Sequence, residues 1–321
     1  MSVHVSVLLK EATESLNLKK GAVVVDATLG GGGHSHEILK KIGDSGILIS
    51  TDLDMGAIKS FAKFPISDFQ FLNDFQIPIF KFENIYLVNS NFSNLDTILR
   101  ILKIEKVDAV LADLGWSSDQ LFGRGMSFVE NEPLDMRLDI KQTLNAEKIV
   151  NEYSQKELEK ILRNYGEEKF ARNISLKIVR CRKAKKIETT KELSEIIKSA
   201  VPGRYCMGKI NPATRTFQAI RIEVNRELEN LEKFIPKAIN ALKSKGRLAI
   251  ISFHSLEDRI VKNIFRQNAG GCICPNTFPQ CRCGKSPEIK IITKKPIIPR
   301  DNELKNNPKS RSAKLRICEK I

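Results

Sequence analysis

The sequence has no run of about 18 or more apolar residues, the length a bilayer-spanning helix requires, so no such helix is expected. Its opening stretch, Met1 to Leu9, is too short and too polar for a secretory apolar region, and Lys10 and Glu11 end it at once. On both readings the protein is expected in the cytoplasm. Cysteine is scarce: of seven residues, Cys181, Cys206 and Cys318 stand alone and four gather between Cys272 and Cys283, which is no extracellular disulfide framework. Internal repeats are lacking. At 41% hydrophobic and 28% charged residues, 321 residues exclude disorder and fibrous structure and allow one large domain or two moderate ones.

The balance of charge is uneven. Lys and Arg number 53 against 38 Asp and Glu, a net +15 that makes nucleic acid the first partner to consider. Residues 1–135 hold 12 basic and 18 acidic side chains, net −6, whereas residues 136–321 hold 41 and 20, net +21. Basic residues cluster at Arg180, Arg182, Lys183, Lys185 and Lys186, and again from Lys285 to Lys320. Such a half is suited to neutralising phosphates. Aromatics are sparse in it, so readout by base stacking is not evident.

Short β-branched runs alternate with helical patterns over the first 113 residues, the mark of a mostly parallel, doubly wound α/β sheet. Strands are expected at 22–27, 46–51, 85–88 and 107–112, with helices at 34–41, 55–62 and 95–102 between them. The connection 64–82 is Phe-rich and reads as an insertion packed on the domain edge or as a lid. After Asp113 the strand pattern stops and helical patterns take over at 146–151, 155–164, 167–181 and 191–199. A long helix starting at Asn211-Pro212, an N-cap followed by Pro, should return the chain to a fifth strand at 246–253. The segments 288–293 and 314–318 would close the sheet as an antiparallel pair. The expected organisation is a first domain part at 1–126, an inserted all-helical domain at 127–210, and a second part at 211–321.

Chemistry is expected at the carboxyl edge of this sheet. Gly30 to Gly33 follow the first strand and open a helix, where backbone can approach a nucleotide-like cofactor. Asp52, ending the second strand, is placed to accept bonds from ribose hydroxyls, or else to cap the next helix. NAD and S-adenosylmethionine both carry such a ribose. Asp113 ends the fourth strand ahead of Ser117 and Ser118, and suits holding an exocyclic amine in line better than hydride transfer, unless it only caps a turn. Arg215, Gln218, Arg221 and Asn225 form one stripe of the Asn211 helix, either a solvated face or a grip for phosphate. His254 follows the fifth strand with no firm role, ahead of an N-cap at Ser255. Cys272, Cys274, Cys281 and Cys283 could hold a structural zinc or remain reduced thiols.

These motifs, in order along nearly the whole chain, resemble the bacterial small-subunit rRNA cytosine-N4 methyltransferases, the MraW family. The carriers are His4 to Leu9 with Glu11, Gly32-Gly33-His34-Ser35, Asp113-Leu114-Gly115 with Ser117-Ser118, Pro133 to Arg137, Tyr165-Gly166-Glu167-Glu168, the Asn211 helix, and Ile251 through Lys262. The resemblance implies a Rossmann-like S-adenosylmethionine-dependent methyltransferase domain interrupted by a helical one. It implies cofactor contacts from Gly32, Gly33, His34, Asp52, Phe92, Asp113 and Gln120, no required metal, and a cytidine in the P-site decoding region of 16S rRNA as substrate. Asp113 is the expected catalytic residue, and Arg215, Arg221 and Asn225 are expected at the substrate. The sequence departs from the family at Trp116, where a small aliphatic residue is usual, at Glu132, where glycine is usual, and in its longer Phe-rich connection.

Overall fold

The computed structural model describes residues 6–61, 70–72, 77–115, 123–128, 130–208, 211–271 and 286–321. It divides into two compact units, Met1–Trp116 with Leu228–Ile321, and Ser117–Glu227.

The first unit is built on a nine-stranded sheet in the order β3-β4-β5-β2-β1-β6-β7-β9-β8. In chain order the strands are β1 (Val23–Asp26), β2 (Ile47–Asp52), β3 (Gln70–Leu72), β4 (Ile79–Phe82), β5 (Ile85–Asn89), β6 (Val107–Asp113), β7 (Leu242–Ser252), β8 (Ile289–Ile291) and β9 (Lys314–Lys320). The five central strands, β5-β2-β1-β6-β7, run parallel. Antiparallel pairs close both edges, β3 and β4 beyond β5, and β9 and β8 beyond β7. The described part of the Phe-rich connection therefore contributes the edge strand β3 and its neighbour β4, and the expected closing pair near the C-terminus is present.

Alternation along the strands sends successive side chains to opposite faces. Val25, Ile49, Val110 and Ile250 join one apolar cluster with Leu95, Ile98 and Phe234, while Val24, Leu48, Leu111 and Ile251 join another with Leu8, Ile38 and Ile42. Both faces are thus covered, which is why these strands read as continuous apolar runs rather than as alternating ones. The helices Leu9–Ser15, Gly33–Ile42 and Met55–Phe61 contribute to the second cluster, and Leu95–Ile101, Glu227–Ala241 and Ser255–Ala269 to the first.

The second unit is helical, with helices at Ala146–Glu152, Gln155–Gly166, Ala171–Arg182, Thr190–Ala200, Gly203–Cys206 and Ala213–Asn225. Ser154 and Thr189 start two of them, each in a reciprocal cap with a glutamate, Glu157 and Glu192. Glu167, in the left-handed conformation, ends the Gln155–Gly166 helix, so the helix expected at 167–181 begins only at Ala171. Gly166 is required there because a Cβ would meet the Arg215 carbonyl at 2.7 Å. Glu132 is buried, and its two oxygens accept the Gly123 and Gly125 amides at 2.8 Å each. At this position, then, a carboxylate pins a glycine turn by two charge-assisted bonds.

The unit's limits differ from the expected 127–210. Ala213, Phe217, Ala219, Ile220 and Val224 bury their side chains in the helical core, beside Leu158, Leu162 and Ile174, so the unit extends to residue 227. The long helix expected from Asn211 is correspondingly two helices. Arg226 takes the left-handed conformation at φ 49° and separates Ala213–Asn225 from Glu227–Ala241, which leads into β7. The residue flanking the helix start is Pro212 rather than Asn211, and Asn211 Oδ1 accepts the Ala213 amide at 2.9 Å. No helix among the described residues is long and apolar enough to cross a membrane.

Candidate active site

Four chain segments meet at the carboxyl edge of the parallel strands. After β1 come Leu29 and Gly30, and after them the helix that starts at Gly33; after β2 comes Asp52 with Leu53 and Asp54; after β5 comes Phe92; β6 ends in Asp113. The order β5-β2-β1-β6 makes these ends neighbours. Strand ends in such a sheet are where ligands lie, because backbone groups there have left the ladder.

Asp52 fixes the glycine loop. Its Oδ2 accepts the Gly30 amide at 2.8 Å and its Oδ1 the Asp54 amide at 2.8 Å. Asn89 adds bonds from Nδ2 to the carbonyls of Asp52 and Leu53. The alternative role of Asp52 as a helix cap belongs instead to Asp54, whose Oδ1 accepts the Gly56 amide at 2.9 Å. A carboxylate oxygen accepts more than one bond, so ribose hydroxyls can share these atoms.

The glycines divide by task. A Cβ at Gly32 would lie 2.3 Å from Phe61 and one at Gly33 2.1 Å from the Ser6 hydroxyl, so both are required by close protein contact. Gly30 has φ +49° and open space where a Cβ would stand. The face that a cofactor can approach is therefore at Gly30 and the adjoining amides. Phe92 meets Phe234 edge to face, with ring centres 5.1 Å apart. Such a nucleotide-like group fits the residues present: a carboxylate for a ribose, an open glycine turn and an aromatic ring lie on adjacent strand ends.

Beneath the loop lie three titratable groups in little water. Asp26 is fully buried, accepts the Ser35 hydroxyl at 2.6 Å, and is raised to about 6, chiefly by burial, against the opposing effects of His34 and its bonds from Ser35 and Thr28. Asp113 is raised to about 7, first by burial and then by the charge of Glu257, with the Gly115 amide opposing. His34 is held below its ordinary value by burial, although Asp26, the Val7 carbonyl and Glu303 favour its charged form. Its Nε2 bonds to the Val7 carbonyl at 3.2 Å and its Nδ1 lies 3.7 Å from Asp113 Oδ2. At neutral pH the site therefore offers a neutral imidazole beside a carboxyl group that can hold or release one proton.

Asp26 escaped the sequence reading, which gave no role to the acid that ends β1. Its signal was a charged residue at the end of an otherwise apolar strand. Glu257 also escaped notice: it is buried, and its Oε2 accepts the Phe253 amide at 2.8 Å. The cap of the Ser255–Ala269 helix is His254 rather than Ser255, because Nδ1 of His254 faces the Glu257 amide at 3.4 Å while Glu257 returns a bond to the His254 amide.

Within the helical unit, the polar stripe is engaged with its neighbours. Arg221 makes a two-bond ion pair with Glu227 at 2.9 and 3.0 Å. Asn225 is buried, accepting the Leu138 amide at 3.1 Å and donating to the Met136 carbonyl at 2.8 Å. Arg215 donates to the Glu167 carbonyl at 3.0 Å and Gln218 to that of Tyr165. In the basic cluster, Lys185 pairs with Glu192 and Lys186 with Glu147, whereas Arg180 and Lys183 face solvent. In the C-terminal tail Arg316 and Lys314 pair with Asp258, while Lys294, Lys295, Lys305 and Arg311 are exposed. Gln120, Trp116, Ser117, Ser118 and the cysteines Cys272, Cys274, Cys281 and Cys283 lie outside the described residues.

The model of a protein family described as the MraW methylase family matches residues 1–321. Ribosomal RNA small subunit methyltransferase H of Clostridium botulinum (strain Kyoto / Type A2) is 52% identical over 320 residues, covering 99% of both chains. The protein of the same name from Clostridioides difficile (strain 630) is 48% identical over 320 residues, again covering 99% of both.

Proposed function

The chain belongs to the MraW methylase family, and we propose that it transfers a methyl group from S-adenosylmethionine to the exocyclic N4 of a cytidine in the P-site decoding region of 16S rRNA. The observation that carries this reading is the meeting of Asp52, the open Gly30 turn and Asp113 on adjacent strand ends, in a chain whose relatives are named as small-subunit rRNA methyltransferases. A small ribosomal subunit or its precursor, in the cytoplasm, is the partner this substrate requires.

When bound, the cofactor supplies the electrophilic methyl group, so the protein has to bind, align and manage one proton. Asp52 holds the Gly30 turn and accepts the ribose hydroxyls. Gly32, Gly33 and His34, in the turn and the first helical residues, would hold the cofactor together with Phe92, and the family resemblance adds Gln120, which lies outside the described residues. Asp113 accepts a hydrogen bond from the cytosine amine, keeping its lone pair in line with the methyl group. A carboxyl group raised to about 7 can take the proton that the amine loses, since its affinity is matched to neutral pH. The exposed cations of the +21 half neutralise rRNA phosphates, with Arg215 contributing from the helical unit, where Arg221 and Asn225 act by shaping the helix that carries it, through Glu227 and through the backbone of Met136 and Leu138.

Purified protein incubated with small subunits and S-adenosylmethionine labelled in its methyl group tests this. Label in 16S rRNA is expected. Stable RNA binding without incorporation, or measurable binding of NAD in place of S-adenosylmethionine, would overturn it.

A further inference from the structure

A segment remote in sequence reaches the buried imidazole. The stretch between β8 and β9 leaves the sheet after Thr293 and returns at Lys314, anchored by paired bonds between Ile297 and Leu315 and by the buried Ser310. From it Glu303 extends to the N-terminal segment, where its Oε1 accepts the Leu8 amide at 2.7 Å. Leu8 is fully buried and left-handed, at φ 50° and ψ 33°, a conformation uncommon for a leucine and dependent on its surroundings to persist. The preceding residue, Val7, presents its carbonyl to His34 Nε2 at 3.2 Å. Ser6 lies directly against Gly33, so the whole segment is pressed onto the start of the His34 helix.

This geometry dictates where the imidazole proton is. A carbonyl only accepts, so Nε2 carries the hydrogen, and the burial that keeps His34 neutral leaves Nδ1 as a bare lone pair. That lone pair faces Asp113 Oδ2 across 3.7 Å. The imidazole therefore donates no hydrogen to Asp113, whose Oδ2 keeps its capacity to accept one from the substrate amine.

We infer that Glu303 is a positioning residue for the reaction centre: by holding the left-handed turn at Leu8 it aims the Val7 carbonyl at His34 and thereby fixes the imidazole with Nδ1 turned to Asp113. The catalytic consequence rests on the methyl-transfer reading above; the state of the ring does not.

The test reads the ring nitrogens of His34 directly, by long-range proton–nitrogen correlation in uniformly labelled protein without ligand, alongside steady-state methyl transfer. In the unaltered chain His34 should be neutral with hydrogen on Nε2 at pH 7. Glu303→Ala removes the acceptor for Leu8 and should give mixed tautomers and a fall of about tenfold in kcat, with KM for S-adenosylmethionine changed much less. Glu303→Gln keeps an acceptor oxygen and should restore both the tautomer and most of the rate. A hydrogen on Nδ1 in the unaltered chain overturns the inference without recourse to any variant, even if Glu303→Ala fails to fold. A folded Glu303→Ala protein with unaltered ring and rate overturns it equally. Mixed tautomers in Glu303→Ala, in a protein whose unaltered form methylates no rRNA, would sustain the positioning role and overturn the functional reading instead.

Discussion

The Asp52 carboxylate accepts the Gly30 amide at 2.8 Å, so one side chain at the end of β2 sets the shape of the loop that follows β1. Its other oxygen holds Asp54 at the same distance. Replacing Asp52 with Ala should therefore loosen the glycine turn and remove the ribose acceptor together. Charge-assisted bonds contribute about 1.5–3 kcal/mol each, so a fall of roughly 10- to 100-fold in S-adenosylmethionine affinity is expected by calorimetry. Asp52→Asn, which keeps an acceptor, should fall between the variant and the unaltered protein.

Asp113 bears on both rate and stability. Asp113→Asn should lower kcat by about 100-fold, the scale of general acid–base contributions, and unchanged turnover with unchanged cofactor affinity would remove both of its assigned roles. The sign of its effect on stability follows from its raised value. The folded chain binds a proton up to about pH 7, whereas the unfolded chain releases it near 3.8, so stability declines as pH rises through that window. The slope is at most about 1.4 kcal/mol per pH unit for one group. Asp26, raised to about 6, adds a like effect between 3.8 and 6. Denaturant unfolding of the unliganded protein should thus show the unaltered chain losing stability relative to Asp113→Asn between about pH 4 and 7, with no further relative loss above that.

Asn225 and Arg215 should behave oppositely, although they share one helix. Asn225 satisfies the backbone of Met136 and Leu138, and Asn225→Ala leaves a buried carbonyl and amide without those bonds. A loss of about 2 kcal/mol is expected in thermal or denaturant unfolding. Arg215→Ala gives up a single bond to the Glu167 carbonyl and should change stability by less than about 1 kcal/mol while weakening rRNA binding.

Binding of rRNA should weaken steeply with salt, because the cations of residues 136–321 displace counterions from phosphate, whereas S-adenosylmethionine binding should barely change. Parallel titrations between low and physiological salt check this. Equal slopes for both ligands would contradict the assignment of the basic half to RNA.

The parallel core of the sheet was legible because strands buried on both faces read as short, nearly continuous apolar runs, as Val23 to Val25 does and as Val107 to Ala112 does but for Asp108. The outer strands β3 and β4 were not, since strands of three and four residues carry little pattern of their own. The break at Arg226 left no composition signal: the apolar spacing of Phe217, Ile220 and Val224 continues to Leu228, and only a left-handed residue divides it. Asp52 and Asp113 could be placed because they end strands. Asp26 ends a strand as well, but its complete burial sets it apart, and Glu303 acts through a bond to Leu8, 295 positions away; neither the burial nor the bond is written in the sequence. The spacing of Arg215, Gln218, Arg221 and Asn225 groups them on one side of a helix, but periodicity cannot tell a side turned to solvent from one bonded to the neighbouring backbone, as the buried Asn225 is.

If Asp113 and the Gly30 turn together direct a methyl group to the N4 of one cytidine, the product is a single modified base. Small subunits incubated with the protein and S-adenosylmethionine, followed by digestion of their 16S rRNA to nucleosides and fragments and analysis by mass spectrometry, measure it most directly. N4-methylcytidine confined to one decoding-region fragment, and strongly reduced with Asp113→Asn, is the predicted result. A methyl group on carbon 5, on a ribose or on another base would contradict it.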